Sequence, residues 1–289
     1  MRATLWGVRG SVPVPGPATE RFGGNTSCVQ VTAADGSEFV LDAGTGIREL
    51  GVAMEGRTRR LHILLTHLHL DHIQGLMFFA PFFDPRSEIT VWGPPAAGRE
   101  LRQRLARYIS SPLSPIEMGD LPAQVSFRDV PSRPWRVGSV EVQAALVSHR
   151  GPTLGYRLTE DGTSLSYVPD HEPALGQDLT SSQTRWISGY ALARDTSLLI
   201  HDSQYTEDEY PAHRGWGHSS LPDALSFARR CEVERLLLFH HDPWHDDRRL
   251  ETLAMEAAER AADLGGTAWV DMCRERDAVE LGATCSGGG

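Results

Sequence analysis

The chain has 289 residues, of which 40% are hydrophobic and 23% charged, and its formal net charge is −10. That balance excludes a disordered, collagen-like or coiled-coil chain, and the length suffices to bury a core without covalent staples. The acidic charge argues against a general nucleic-acid binder, whose affinity rests on neutralising phosphates.

All 28 basic residues are arginine, which we read as genomic composition and not as function. Asn25 is the only asparagine and lies in Gly23-Gly24-Asn25-Thr26-Ser27, which makes it a candidate substrate contact. Cys28, Cys231, Cys273 and Cys285 are far apart, so neither a disulfide framework nor a thiolate zinc knuckle is expected. The N-terminus lacks the apolar stretch of a signal peptide, and no run approaches the roughly 18–20 apolar residues of a membrane helix. The expectation is a soluble, cytoplasmic protein with one domain over residues 1–284 and a flexible tail at 285–289.

In chain order, strands are predicted at Thr4–Val8, Cys28–Thr32 and Glu38–Asp42, with a Gly/Pro-rich loop over 9–26. A helix is predicted at Thr45–Met54, then strands at Leu61–Thr66 and Ile89–Trp92. Leu101, Leu105 and Tyr108 predict a helix over 97–109, before a proline-bearing loop over 110–122. The second half echoes the first. Strands are predicted at 124–130, 139–148, 153–159, 163–168 and Ser197–His201. Ser219 or Ser220 can cap a helix running to about Arg230, with Pro222 in its first turn. Strand Arg235–Phe239, an amphipathic helix over 247–264 and short strands at 267–271 and 277–281 complete the chain. Many strands with helices interspersed, and no strict βαβ alternation, predict packed sheets with helices outside.

The sharpest segment is Thr66-His67-Leu68-His69-Leu70-Asp71-His72. It offers three imidazoles and a carboxylate just after an apolar strand, a donor set suited to zinc and its divalent neighbours. Alternation puts His67 and His69 on one side, while Asp71 and His72 follow the turn and can face a second ion. Further donors come first after later apolar strands: His149 after Val140–Ser148, Asp170 after Leu165–Pro169, and His240 after Arg235–Phe239. Alone, each is more readily a surface or capping residue; together they read as ligands delivered to one sheet edge.

His67-x-His69-x-Asp71-His72 resembles the signature of the metallo-β-lactamase superfamily. Asp42 in Leu41-Asp42-Ala43-Gly44-Thr45-Gly46, then His149, Asp170 and His240, match in order over about residues 4–245. The resemblance implies an α/β fold, the four-layer αββα sandwich, with a two-metal site on one edge. It implies that His67, His69 and His149 hold one ion, that Asp71, His72 and His240 hold the other, and that Asp170 bridges them. Asp42 would orient ligands from behind. His240 is preferred over its neighbour His241 because it directly follows the apolar run. The ions would be two divalent cations, Zn²⁺ first and Mn²⁺ or Fe²⁺ as alternatives, since the same donors serve all three.

No cysteine lies near a ligand position, which disfavours lactam hydrolysis. Gly7-Val8-Arg9-Gly10-Ser11-x-Pro13 leading into Gly24–Ser27, and Gly217-His218-Ser219-Ser220 preceded by Ile200-His201-Asp202, are similar to the ribonuclease Z-like phosphodiesterase branch. That branch pairs an acidic residue with a histidine near the scissile phosphate. Here the pair would be Asp202 and His218, and Asp202 is a modest departure because the family position often holds Glu. A helix starting near Ser219 would favour phosphate at its N-terminus, with Ser219 a candidate substrate contact.

The implied chemistry is hydroxide attack on a phosphodiester clamped by two metals, with Asp71, His218 and Asp202 as catalytic residues. Residues 150–169 read as a plain hairpin, and residues 176–195 carry only Arg185 and Arg194 as basic side chains. The basic, glycine-rich arm of long ribonuclease Z enzymes is therefore not evident. The first expectation is a small cyclic phosphodiester, a 3′,5′-cyclic nucleotide. The alternatives are tRNA 3′-end cleavage, with tRNA as partner, and a non-catalytic metal-binding regulator. A homodimer is expected by resemblance only. Trp216, Trp244 and the Phe78–Phe83 stretch are candidates for a base-stacking wall, with core packing the ordinary alternative. The phenylalanines rank first because they follow the metal loop.

Overall fold

The computed structural model describes residues 1–55, 60–173, 175–264 and 269–282. The first half forms β1 (Arg2–Gly7), β2 (Cys28–Thr32), β3 (Glu38–Leu41), α1 (Gly46–Ala53), β4 (Arg60–Leu64), α2 (Leu70–Ile73), β5 (Glu88–Gly93), α3 (Leu101–Leu105) and β6 (Gln124–Asp129). The second forms β7 (Trp135–Val137), β8 (Val140–Val147), β9 (Thr153–Glu160), β10 (Thr163–Val168), α4 (Tyr190–Ala193), β11 (Leu198–Asp202), α5 (Tyr210–His213), α6 (Leu221–Arg230), β12 (Arg235–Phe239), α7 (Asp247–Asp263), β13 (Trp269–Met272) and β14 (Ala278–Glu280).

These strands make two seven-stranded sheets, ordered β14-β1-β2-β3-β4-β5-β6 and β13-β12-β11-β10-β9-β8-β7. The echo between the halves is real. Each sheet joins a parallel run of four strands, β3 to β6 or β10 to β13, to an antiparallel run. Strand alternation sorts side chains between layers. Val29, Val31, Ile200, Leu237 and Phe239 enter the core between the sheets. Their neighbours Leu199, Leu236 and Leu238 point the other way and pack with Leu225 and Phe227 of α6 and Leu250 and Leu253 of α7. Cys28, Val40, Ile63 and Val91 likewise meet Ile47 and Leu50 of α1 and Leu101 of α3. Three apolar layers between four structural layers make the expected αββα sandwich.

Several boundaries differ from expectation for local reasons. The helix expected over 97–109 is confined to Leu101–Leu105, because Gly98 takes φ +79° and Glu100 caps the first turn. β7 escaped notice because it is three residues long, follows two prolines, and sits at a sheet edge. Ser220, not Ser219, caps α6: its hydroxyl accepts from the Asp223 N–H. The β9–β10 hairpin turns on Asp161-Gly162, both at positive φ, the signature of a two-residue loop. Residues 267 and 268 of the expected 267–271 strand, Cys285, and the tail at 285–289 lie outside the described residues. Cys28, Cys231 and Cys273 are buried free thiols. Among the described residues no helix is long and apolar enough to cross a membrane.

Candidate metal centre

The C-terminal ends of β4, β8, β10, β11 and β12 converge, the edge at which α/β sheets commonly present ligands. β4 runs into the loop carrying His67 and His69, and the short helix α2 adds Asp71 and His72. β8 delivers His149, β10 delivers Asp170, β11 ends on Asp202 and β12 delivers His240. Two residues that follow strands at this edge need unusual backbone. Asp42, after β3, and His240 sit at φ +59° and +63°. Non-glycine residues adopt that region rarely and at a cost, which is typical of functional sites. Gly217 is at φ +93°, and a Cβ there would lie 2.4 Å from His149 Nδ1, so the backbone must stay bare for that imidazole to fit.

The donors fall into two sets. His67 Nε2 lies 2.9 Å from His69 Nδ1 and 3.7 Å from Asp170 Oδ2. His149 Nε2 lies 3.3 Å from His69 Nδ1 and 3.6 Å from Asp170 Oδ2. On the other side, His72 Nε2 lies 3.3 Å from Asp71 Oδ2 and 3.0 Å from Asp170 Oδ1. His240 Nε2 is 3.4 Å from Asp71 Oδ2 and 3.3 Å from Asp170 Oδ1. Donors about 2.0–2.1 Å from a tetrahedral zinc ion stand about 3.3 Å apart. Both sets match that spacing, and Asp170 gives one oxygen to each.

The buried atoms themselves call for cations. His72 Nε2, Asp170 Oδ1 and His240 Nε2 are buried without a hydrogen-bond partner, and all three face one point. Such orphans are costly unless something satisfies them. Burial pulls His72 towards neutrality, yet Asp170, Asp71 and Asp42 outweigh it and push its pKa well up. Burial raises Asp71, but the nearby His72 and His240 imidazoles hold it well below the usual carboxylate range. The opposite set has one carboxylate where the set of Asp71 and His72 has two, and burial pushes His67, His69 and His149 down, towards the neutral form that binds metal. The residues fit a pair of divalent ions.

A second layer fixes ring orientation. His72 Nδ1 donates to Asp42 Oδ2 at 2.8 Å, and Asp42 also accepts from the Thr66 N–H at 2.7 Å and the Tyr167 hydroxyl at 3.0 Å. His149 Nδ1 donates to the Gly217 carbonyl at 2.7 Å, and His240 Nδ1 to Gln204 Oε1 at 3.1 Å. The Ser11 N–H donates to Asp71 Oδ2 at 2.8 Å. His241 turns away: its Nε2 donates to the Cys273 carbonyl, and it packs edge-on against Phe22.

Beside the donors, Asp202 Oδ2 accepts from His218 Nδ1 at 2.7 Å. The His218 ring stacks on His240 at 5.0 Å and meets His149 edge-on at 4.9 Å, so it borders both donor sets. Burial pulls His218 down, but Asp202 and the site carboxylates outweigh it and push the imidazole up to about 9. Asp202 is held by the N–H groups of His171, at 3.0 Å, and Gln204, at 2.9 Å.

Three expectations need correction. Asn25 is not free to contact substrate through its amide: its side-chain and backbone N–H groups both donate to Glu275, tying its loop to the turn between β13 and β14. Ser219 is fully buried, its hydroxyl donating to the His171 carbonyl at 2.6 Å and its N–H facing Asp202, so it supports the Asp202–His218 pair and is closed to substrate. The N-terminus of α6 offers no phosphate cradle. The Leu221 N–H is taken by the Tyr205 carbonyl, Pro222 has none, and the Asp223 N–H is taken by Ser220. Among the aromatic candidates, Phe79 and Phe82 are core residues and Phe78 and Phe83 are exposed outside the cleft that Trp216 and Trp244 line with His218.

Sequence reasoning passed over Gln204, Tyr167, Thr66 and Glu172. Tyr167 and Thr66 left no trace beyond ordinary strand-end chemistry. Glu172, two residues after Asp170, is a buried acid whose carboxylate accepts from the Gly215 and Gly217 N–H groups and the Tyr210 hydroxyl.

The family model of the beta-lactamase superfamily domain matches residues 38–241, which carry every donor described. A ribonuclease Z from Kineococcus radiotolerans is 26% identical over 284 residues, covering 86% of this chain and 87% of its own. The short form of human tRNase Z superposes with a TM-score of 0.67 at 20% identity, covering 98% and 100% of the two chains. A diphosphatase of the PhnP family superposes with a TM-score of 0.68 at 17% identity, covering 97% and 98%. With the fold, the donor order and these likenesses in agreement, the chain belongs to the metallo-β-lactamase superfamily, in its ribonuclease Z-like branch, and is a metal-dependent hydrolase.

Proposed function

We propose that the chain is a phosphodiesterase, and that the bond it cleaves belongs to an RNA 3′ extension such as that of a precursor tRNA. The observation that carries the reaction class is the Asp202–His218 pair set against two donor groups that share Asp170. A structural metal site has no use for such a pair. The RNA substrate rests on the relatives named ribonuclease Z.

Two divalent ions held by His67, His69, His149, Asp71, His72, His240 and Asp170 would supply hydroxide at neutral pH and neutralise phosphoryl oxygens. The chain supplies the rest. Asp71, fixed by the Ser11 N–H, is placed to accept a hydrogen bond from the attacking oxygen and so orient it. With Nδ1 engaged by Asp202, His218 presents Nε2 to the substrate and can pass a proton to the leaving oxygen. Fixed groups of this kind lower the barrier without reorganising during reaction. Zinc remains our first choice of ion.

The 3′,5′-cyclic nucleotide expected first has no relative named here to support it. What still favours a small diester is the segment between β10 and β11. It holds one short 3-10 turn, Thr184–Trp186, and the single-turn helix α4, and Arg194 is paired with Asp195.

The test gives zinc-loaded protein a 3′-extended tRNA transcript and, separately, 3′,5′-cyclic AMP, each with a chelated control. Chelator-sensitive shortening of the transcript is expected. An intact transcript with conversion of cyclic AMP would favour the small diester. Turnover of neither would overturn the phosphodiesterase reading.

A further inference from the structure

Beyond the two donor sets, the same edge carries an open cleft of about 430 Å³ that includes His218 in its lining. Its size falls in the range of small-ligand sites, about 300–1,000 Å³. Two indoles frame it: Trp244 is 91% exposed and Trp216 50% exposed. Large apolar rings held in water are unfavourable unless something covers them.

Neither indole is on a slack loop. The backbone N–H of Trp244 donates to Asp242 Oδ1 at 2.8 Å, and Asp242 Oδ2 accepts from Gln204, the residue that orients His240. Trp216 lies between Gly215 and Gly217, whose N–H groups are both held by buried Glu172. Its ring meets His213 edge-on at 5.0 Å, and His213 stacks on Tyr205 at 4.3 Å. The Arg150 guanidinium lies 5.8 Å from the Trp216 ring centroid. The chain thus fixes two exposed aromatic faces beside its proton-bearing histidine. Gln204 and Asp242 spend their side chains on each other, on His240 and on the Trp244 backbone.

We infer that this cleft is a stacking subsite for the nucleobase adjoining the scissile phosphate, accepting any base because the two indoles grip the ring face that every base shares. The inference rests on the phosphodiesterase reading and extends it to the substrate's base. Every base has a π-face, and stacking on an aromatic side chain is worth a factor of about 5 to 100 in affinity.

The test measures binding to zinc-loaded protein by calorimetry, comparing AMP, UMP and ribose 5-phosphate. AMP and UMP should bind at least 5-fold tighter than ribose 5-phosphate and within about 5-fold of each other. Trp244→Ala and Trp216→Ala should each cut the nucleotide advantage by 3-fold or more, whereas Trp244→Phe and Trp216→Phe should keep most of it. Equal affinity for AMP and ribose 5-phosphate, or an advantage untouched by both alanine variants, would overturn the subsite. A preference for one base above 10-fold would overturn its indifference. Turnover of methyl p-nitrophenyl phosphate, which has no base, is read separately: its absence counts against the phosphodiesterase reading and leaves the binding ratios to judge the cleft.

Discussion

The two sheets build the same edge in opposite ways. The first concentrates four donors, His67, His69, Asp71 and His72, in one six-residue stretch after β4. The second spreads its donors singly: His149, Asp170 and His240, with Asp202 that holds His218, each come at the end of a different strand. A dense cluster tolerates neither insertion nor register change within itself. A dispersed set depends instead on the parallel register of β10, β11 and β12, where Val168, His201 and Leu238 align across neighbouring strands. The first sheet fixes local geometry; the second fixes which groups meet.

Substitutions can break that contrast. The largest effect should come from Asp170→Ala, because one dispersed residue serves both donor sets. Metal content by elemental analysis should fall for both ions, and turnover should fall by 10³-fold or more. Retention of one full equivalent of metal would mean that the sets are independent. Next, His218→Ala should keep metal content and fold while lowering kcat by about 10²- to 10⁴-fold, the usual worth of a positioned proton donor. Full activity in that variant would remove His218 from the chemistry. Asp42→Asn touches the cluster from behind, through His72, and should weaken metal affinity about 10- to 100-fold in a chelator competition.

The last effect is on stability and leaves the chemistry aside. Behind Asp202, the imidazoles of His171 and His201 are buried 2.9 Å apart, and burial pushes His201 down to about 4. The unfolded chain takes up that proton near pH 6.5, whereas the folded chain resists until about pH 4. Metal-free protein should therefore lose stability as pH falls from about 6.5 towards 4, by roughly 3 kcal/mol from His201. His201→Gln should flatten that slope in urea titrations. Parallel slopes for the two proteins would show that His201 carries no such linkage.

The same contrast explains what could be read from sequence. The cluster is legible because four metal-binding side chains in six residues have no common structural use. Strand alternation separates inward Leu237 and Phe239 from outward Leu236 and Leu238, so the sheets and their helices are legible too. The dispersed donors are legible only as an ordered series. What escaped was set by contacts across the chain. Asn25 looked functional because it is alone in its type, yet its partner Glu275 is 250 residues away. Ser219 beside Ser220 gave no sign which would cap α6 and which would brace His171. The phenylalanines after the metal loop follow it in sequence, but Phe79 and Phe82 turn into the core, and the indoles near His218 come from two separate loops.

The most direct measurement is an anomalous difference map from crystals of the zinc-loaded chain. Two peaks are expected, about 3.5–4 Å apart. One should lie among His67, His69, His149 and Asp170, the other among Asp71, His72, His240 and Asp170. A single peak, or zinc bound elsewhere with these donors free, would contradict the shared two-ion centre on which the account rests.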